Sequence, residues 1–235
     1  MKGILVLIIT CVSLTAAYCQ TAEEWYDRAT WKSGIEDYRG AIADFTKAIE
    51  LNSSVDTYYI LRGTSKLRLE DYRGAITDFT KAIELDPNYA DTYFSRGVAK
   101  EHLQDHKGAI ADFTKAIELD PNYADTYYFR GVTKSKLQDY RGAIADFTKA
   151  IELNPSVDAI VYFKRGHSKA TLEDYRGAIA DFTKVIELNP FSGAYYNRGY
   201  AKIYIGQKDS GCLDLSKAGE LGGAEAYDAI RKHCN

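Results

Sequence analysis

Positive charge in excess is the first thing this sequence lacks. Lysines and arginines alternate with acids throughout, the net charge is −3, and no basic stripe exists to neutralise phosphates. Nucleic acid is therefore not expected as a partner. A glycine loop of the phosphate-cradling kind is missing too, since the glycines are spaced as helix-packing residues. Apolar and polar residues nowhere alternate with period two, which argues against strands. Histidine is scarce, with four in 235 residues. His102 and His106 lie one helical turn apart beside Glu101 and Asp105, a spacing that would suit a metal. Yet His106 fills the slot held elsewhere by Tyr38, Tyr72, Tyr140 and Tyr175, so it reads as a packing substitute. His167 and His233 have no evident partners. The carboxylates recur at fixed intervals, as solvated helix faces do and paired acid–base catalysts do not. No metal site, no cofactor and no catalytic centre is expected.

A long apolar run occurs once, at the start. Met1 and Lys2 precede GILVLIITCVSLTAA, which is too short for a comfortable membrane span and is followed by small residues. Residues 1–19 read as a secretory signal cut after Cys19, with a cut after Ala17 nearly as good. A lipid-modified Cys19 is disfavoured by the bulk of Tyr18. The expectation is an exported chain whose mature part has no membrane span.

What is abundant is repetition. The phrase DYRGAIADFTKAIELN starts at Asp37 and returns almost unchanged at Asp71, Asp139 and Asp174, with a fifth version at Asp105 and a worn sixth from Gln207 to Leu221. Its phenylalanine gives Phe45, Phe79, Phe113, Phe147 and Phe182, and Leu215 completes the series at intervals of 34, 34, 34, 35 and 33 residues. The single gain and loss fall beside Pro155 and Pro190, in turns, where length changes cost least. Each unit divides into two helices. In the third, Tyr93, Gly97 and Leu103 mark the inner side of a first helix that starts near Ala90. Asp105 to Lys107 make a turn, and Ala109, Ile110, Phe113, Ala116 and Ile117 form one stripe of a second helix stopped by Pro121. One such unit cannot bury enough apolar surface to offset the entropy of ordering it, so neighbours must cover one another.

These residues resemble the tetratricopeptide repeat. Tyr127, Gly131, Ala143, Phe147, Ala150 and Pro155 fall where that family's signature has them. Arg130 and Lys134 match its arginine-lysine variety. The resemblance implies an all-α, right-handed superhelical solenoid of six helix-turn-helix units, about residues 22–54, 55–89, 90–123, 124–158, 159–191 and 192–221. A capping helix would follow over 222–235, with Tyr227 and Ile230 on its apolar side. The first unit has Ala29 for glycine and the sixth has Gly211 and Leu215 for alanine and phenylalanine, as terminal repeats often depart from pattern. The end of the chain is similar to that of many secreted bacterial proteins of this type, which implies a periplasmic or extracellular location.

Two pairings follow from spacing. Cys212 and Cys234 lie almost equidistant from the Gly222-Gly223 turn, so a helical hairpin would let them face each other. Export favours their oxidation, and two reduced thiols are the alternative. Arginines at 28, 62, 96, 130, 165 and 198 are each followed four residues later by a lysine, and the second helices supply Asp44, Asp78, Asp112, Asp146, Asp181 and Asp214. Each aspartate is expected to pair with an arginine or lysine of an adjacent helix, as masonry in place of an anion track.

The first helices vary where the second helices are near copies. By the resemblance, first helices line the concave side where partner segments lie. Carried over, that side holds Tyr26, Ile60, Phe94, Tyr128, Phe163 and Tyr196 as a central row. Beside it run Thr30, Thr64, Val98, Val132, His167 and Tyr200, and a further edge has Arg68, His102, Lys136 and Tyr204. The lysine-asparagine clamp with which some relatives grip acidic chaperone tails is absent, because Tyr26, Ile60, Thr30 and Thr64 stand in its slots. The expectation is a non-enzymatic scaffold in a cell-envelope assembly, binding an apolar-anchored peptide or protein segment in its groove. A structural spacer that stacks end to end is the alternative.

Overall fold

The computed structural model describes residues 20–156 and 158–234; the expected secretory signal, residues 1–19, lies outside them. Among the described residues there are thirteen helices and no strand. They are α1 (Ala22–Gly34), α2 (Tyr38–Leu51), α3 (Asp56–Arg68), α4 (Tyr72–Leu85), α5 (Ala90–His102), α6 (His106–Leu119), α7 (Ala124–Lys136), α8 (Tyr140–Leu153), α9 (Ala159–Thr171), α10 (Tyr175–Leu188), α11 (Ser192–Tyr204), α12 (Lys208–Glu220) and α13 (Ala224–His233). The chain is an all-α repeat solenoid in which consecutive helices pack on one another. It divides into two compact units, one up to Ala99 and one from Lys100 onward.

Five of the six second helices start on an aspartate, and the sixth, α12, follows Gln207, which makes no such cap. Asp37, Asp71, Asp105, Asp139 and Asp174 accept a hydrogen bond from the glycine N–H three residues on, at 2.9–3.0 Å. That satisfies one of the four N–H groups a helix start leaves open. The residue before each aspartate is left-handed: Glu36, Glu70, Gln104, Gln138 and Glu173 have φ of 61–64°. This backbone costs about 1–2 kcal/mol in a residue with a Cβ. It is held by a closing bond from the aspartate N–H to the carbonyl of the lysine five residues earlier, as in Asp139 to Lys134 at 3.0 Å. The turn therefore precedes Asp105, and His106 and Lys107 already belong to α6, whereas the spacing placed the turn at Asp105 to Lys107. Leu103, taken as an inner residue, sits in that turn and is 41% exposed.

Phe45, Phe79, Phe113, Phe147, Phe182 and Leu215 are fully buried. The phenylalanine ring lies against the small residue of the preceding first helix. A Cβ added to Gly131 would stand 2.8 Å from Phe147 Cε1, and one on Gly63 would stand 2.9 Å from Phe79 Cε1. The sixth repeat reaches the same contact differently. A Cβ on Gly211 would stand 2.7 Å from the Gly199 carbonyl oxygen, so the loss of the phenylalanine there is matched by closer backbones.

Every expected aspartate is buried. Asp146 takes Arg130 on both oxygens, Nε to Oδ2 at 2.9 Å and Nη2 to Oδ1 at 2.7 Å, and Lys134 Nζ lies 2.8 Å from Oδ2. Asp44, Asp78, Asp181 and Asp214 repeat this with Arg28 and Lys32, Arg62 and Lys66, Arg165 and Lys169, and Arg198 and Lys202. Asp112 takes Lys100 at 2.7 Å. These partners come from the first helix of the aspartate's own repeat. The tie to the repeat before runs through threonines that the sequence reading passed over. Arg62, Arg96, Arg130, Arg165 and Arg198 donate from Nη1 to Thr46, Thr80, Thr114, Thr148 and Thr183 at 3.1–3.2 Å. Each of these guanidiniums also lies over the tyrosine three residues earlier, at 5.5–5.7 Å.

The closing helix differs from expectation. Ala226 and Ala229 are its buried residues and Ile230 is half-buried, while Tyr227 is 55% exposed. Small residues face inward because α13 lies close to α12, where the Tyr227 hydroxyl reaches the Gly219 carbonyl at 3.4 Å. Cys212 and Cys234 form a disulfide with their Cα atoms 5.8 Å apart.

Two outcomes are expected. Asp146→Ala strands Arg130 and Lys134, and breaking one side of a largely buried pair costs about 3 kcal/mol; chemical denaturation followed by circular dichroism measures it, and a change within error would contradict the hub. Reducing Cys212–Cys234 releases a loop whose closure is worth about 3 kcal/mol in the chain-entropy model, so the melting transition should fall on adding a reductant and stay put in Cys212→Ser.

Candidate functional site

In the first unit, Tyr26 lines a cleft of about 450 Å³ with Thr21, Glu23, Val55 and Tyr58. Its ring centroid is 5.3 Å from that of Tyr58 and 6.1 Å from that of Phe45. Ile60, Phe94 and Val98 are half-buried, as are Thr30 and Thr64.

In the second unit the variable residues converge further. Val132, Ser135 and Lys136 of α7, Tyr140, and Phe163, Lys164, His167 and Ser168 of α9 line a cleft of about 360 Å³. His167 also borders a cleft of about 390 Å³ with Ala170, Thr171, Tyr175, Tyr196, Asn197, Tyr200, Ala201 and Tyr204. Val132, Phe163, His167, Tyr196 and Tyr200 are thus drawn into two adjoining clefts. Tyr128 faces elsewhere, in a cleft of about 280 Å³ with Asp125, Asn154, Asp158 and Ile160. Phe163 gives part of its face to the core, with its ring 5.7 Å from that of Phe182 and 5.3 Å from that of Phe191.

The first-helix positions stand open because the second helices carry the core. Along α11, Tyr196, Tyr200 and Tyr204 follow at four-residue spacing and share a stripe. This stripe was legible in the sequence. The flat stacking of Tyr175 on Tyr204, 4.9 Å apart at 7°, was not. Nor was the position of His233, whose ring meets Tyr200 edge-on at 5.4 Å; the residue with no evident partner is packed against the site.

Burial, the hydrogen bond with Tyr200, and the charges of Glu225 and Asp228 push the Tyr196 hydroxyl up to about 12. Burial, aided by Asp158, raises that of Tyr128. On the α7 side, Glu101 binds His106 Nδ1 at 2.8 Å and also Lys136 Nζ. Burial pushes the Glu101 carboxyl up, but the bonds from Lys136 and His106 outweigh it and hold the group below its usual range. Glu101 and His106 meet as a local pair. Among the described residues, no three of His, Cys, Asp and Glu gather as a metal would require.

The depressed Glu101 carboxyl gives a signed expectation. Its contribution to stability is complete above the unfolded glutamate pKa of about 4.3 and is lost as the pH falls through the lower folded value. Wild type should therefore exceed Glu101→Gln in melting temperature at pH 5–6, taken as roughly one unit above that reference, with the gap closing in acid. A gap that widens in acid would reverse the assignment.

Comparison with known proteins completes the description. Sequence models of the tetratricopeptide repeat match residues 60–124, 124–157 and 159–191. No curated protein matches the chain. Among solved structures, YrrB, described as a TPR protein with an unusual peptide-binding site, is 27% identical with a TM-score of 0.74, covering 80% of this chain and 97% of its own. A MamA protein is likewise 27% identical, with a TM-score of 0.67 over 76% of this chain and 94% of its own. A tetratricopeptide repeat protein from Parabacteroides merdae ATCC 43184, 21% identical, has a TM-score of 0.60 over 94% of this chain and 87% of its own.

Proposed function

Since the chain belongs to the tetratricopeptide repeat family, we propose that it is an exported, non-enzymatic scaffold that binds a peptide or protein segment through its first helices. The observation that carries this reading is the pair of adjoining clefts in the second unit, built from Val132, Phe163, His167, Tyr196 and Tyr200. They are lined by rigid aromatic and aliphatic groups between helices that the core already fixes. A segment laid there gains contact area without reorganising the protein. The peptide-binding description of YrrB supports the same reading. Export is supported by the apolar leader and by the disulfide. Among the described residues, no helix is long and apolar enough to cross a membrane.

Val132→Glu with His167→Glu places charge in both clefts without removing a core ring. Peptides selected on wild type from a random linear phage-displayed library should carry apolar or aromatic anchors and bind the double variant at least about tenfold more weakly, a loss of about 1.4 kcal/mol. Equal binding, at an unchanged melting temperature, would remove the groove.

A further inference from the structure

The cleft at the α11 end of the second unit has a chemistry of its own. Among the described residues no lysine or arginine lines it, whereas its neighbour holds Lys136 and Lys164. One wall is a run of tyrosines in mutual contact. Tyr175 stacks on Tyr204, Tyr204 faces Tyr200 at 6.4 Å and 28°, and Tyr196 meets Tyr200 edge-on at 4.9 Å. Tyr204 is 62% exposed, so the mouth of the cleft is open. His167, Ala170 and Thr171 of α9 form the opposite wall. Asn197 donates its Nδ2 to the Gly193 carbonyl at 2.7 Å, and its other amide atom is an acceptor.

Carboxylates act on both ends of the tyrosine run, while the last turn of α13, whose His233 meets Tyr200, is basic with Arg231 and Lys232. Glu225 and Asp228 of α13 act on Tyr196, and Glu173 acts on Tyr175. Arg231 pairs with Asp228 and offsets part of that charge, which leaves Glu225 and Glu173 as the carboxylates to test. Electron-rich ring faces, flanking carboxylates and a lining whose one basic side chain is the imidazole of His167 together describe a receptor for a planar cation. The chain uses this pairing itself, five times over, in the arginines that lie across the tyrosine one turn earlier. In the cleft the rings are present and their lining supplies no such partner.

We propose that the Tyr196–Tyr200–Tyr204 cleft takes the guanidinium of an arginine side chain in the bound segment. This deepens the groove reading and rests on it for the segment, though not for the cation. The guanidinium lies across the tyrosine faces with its edge toward the acidic end of α13. A partner segment is thereby read by one arginine here, beside apolar anchors in the adjoining cleft around Val132 and Phe163.

The test uses the full mature chain with ¹³C-labelled tyrosine rings, titrated with N-acetyl-arginine-N-methylamide and with its neutral isostere N-acetyl-citrulline-N-methylamide. The arginine compound should shift the ring signals of Tyr196, Tyr200 and Tyr204 and saturate, and the citrulline compound should bind at least about fivefold more weakly. Tyr204→Ala, at an exposed position, and Glu225→Gln should each weaken the arginine compound, while Val132→Glu should leave it unchanged. Equal binding of the two compounds, no ring shift, or insensitivity to both cleft variants would overturn the proposal. Because the probe is a single residue, arginine binding without any selected peptide would sink the groove and spare the cleft. Selected peptides indifferent to arginine-to-citrulline exchange would do the reverse.

Discussion

One guanidinium per repeat holds this architecture together. In the regular repeats it forks onto the buried aspartate of its own second helix, reaches a threonine of the repeat before, and lies across a tyrosine of its own helix. Three directions are fixed by one planar group, which an ammonium on a flexible stem cannot do. The lysine one turn on shares the same carboxylate and thereby removes the repulsion between two neighbouring cations. Such a site contributes less to net stability than its contacts suggest, since desolvation offsets much of the attraction. What it imposes is register. A repeat displaced along its neighbour would leave a half-buried guanidinium without the threonine of the repeat before.

The ends show what the middle depends on. Among the described residues no repeat precedes Arg28; it turns to Gln20 at 3.5 Å and Trp25 at 4.0 Å, and its side chain is 40% exposed against 14–16% for Arg62, Arg130, Arg165 and Arg198. At the far end, Gly211, Leu215 and the alanines of α13 bring backbones nearer where the phenylalanine is missing. Departures from the repeat are therefore compensations for having a neighbour on one side only.

Much of this was written in the chain. The Phe45 series located the second helices, because a fully buried ring recurring every turn of a solenoid leaves a strict period. The aspartates named their partners, because a buried carboxylate must have one. Thr46 and its equivalents escaped notice, since a hydroxyl on an amphipathic helix looks like any solvated polar group until the next repeat is placed against it. The turn between the first and second helix of a repeat was misplaced by two residues because Glu36, Gln104 and their counterparts hold a left-handed backbone that glycine ordinarily marks. Tyr227 misled for a similar reason: side-chain size suggested burial, whereas the closeness of α12 admits only alanine. The clefts were half legible. Their walls vary between repeats, but the stacking of Tyr175 on Tyr204 and the approach of His233 join elements that no periodicity relates.

The disulfide has a directional consequence. A solenoid loosens from its termini, where a repeat has one neighbour instead of two. Here the bond ties Cys234, just past α13, to Cys212 of α12, so α13 cannot peel off its neighbour while the bond is intact. The tyrosine cleft, with His233 held against Tyr200 by the same stitch, keeps that edge of its wall when the helices around it loosen.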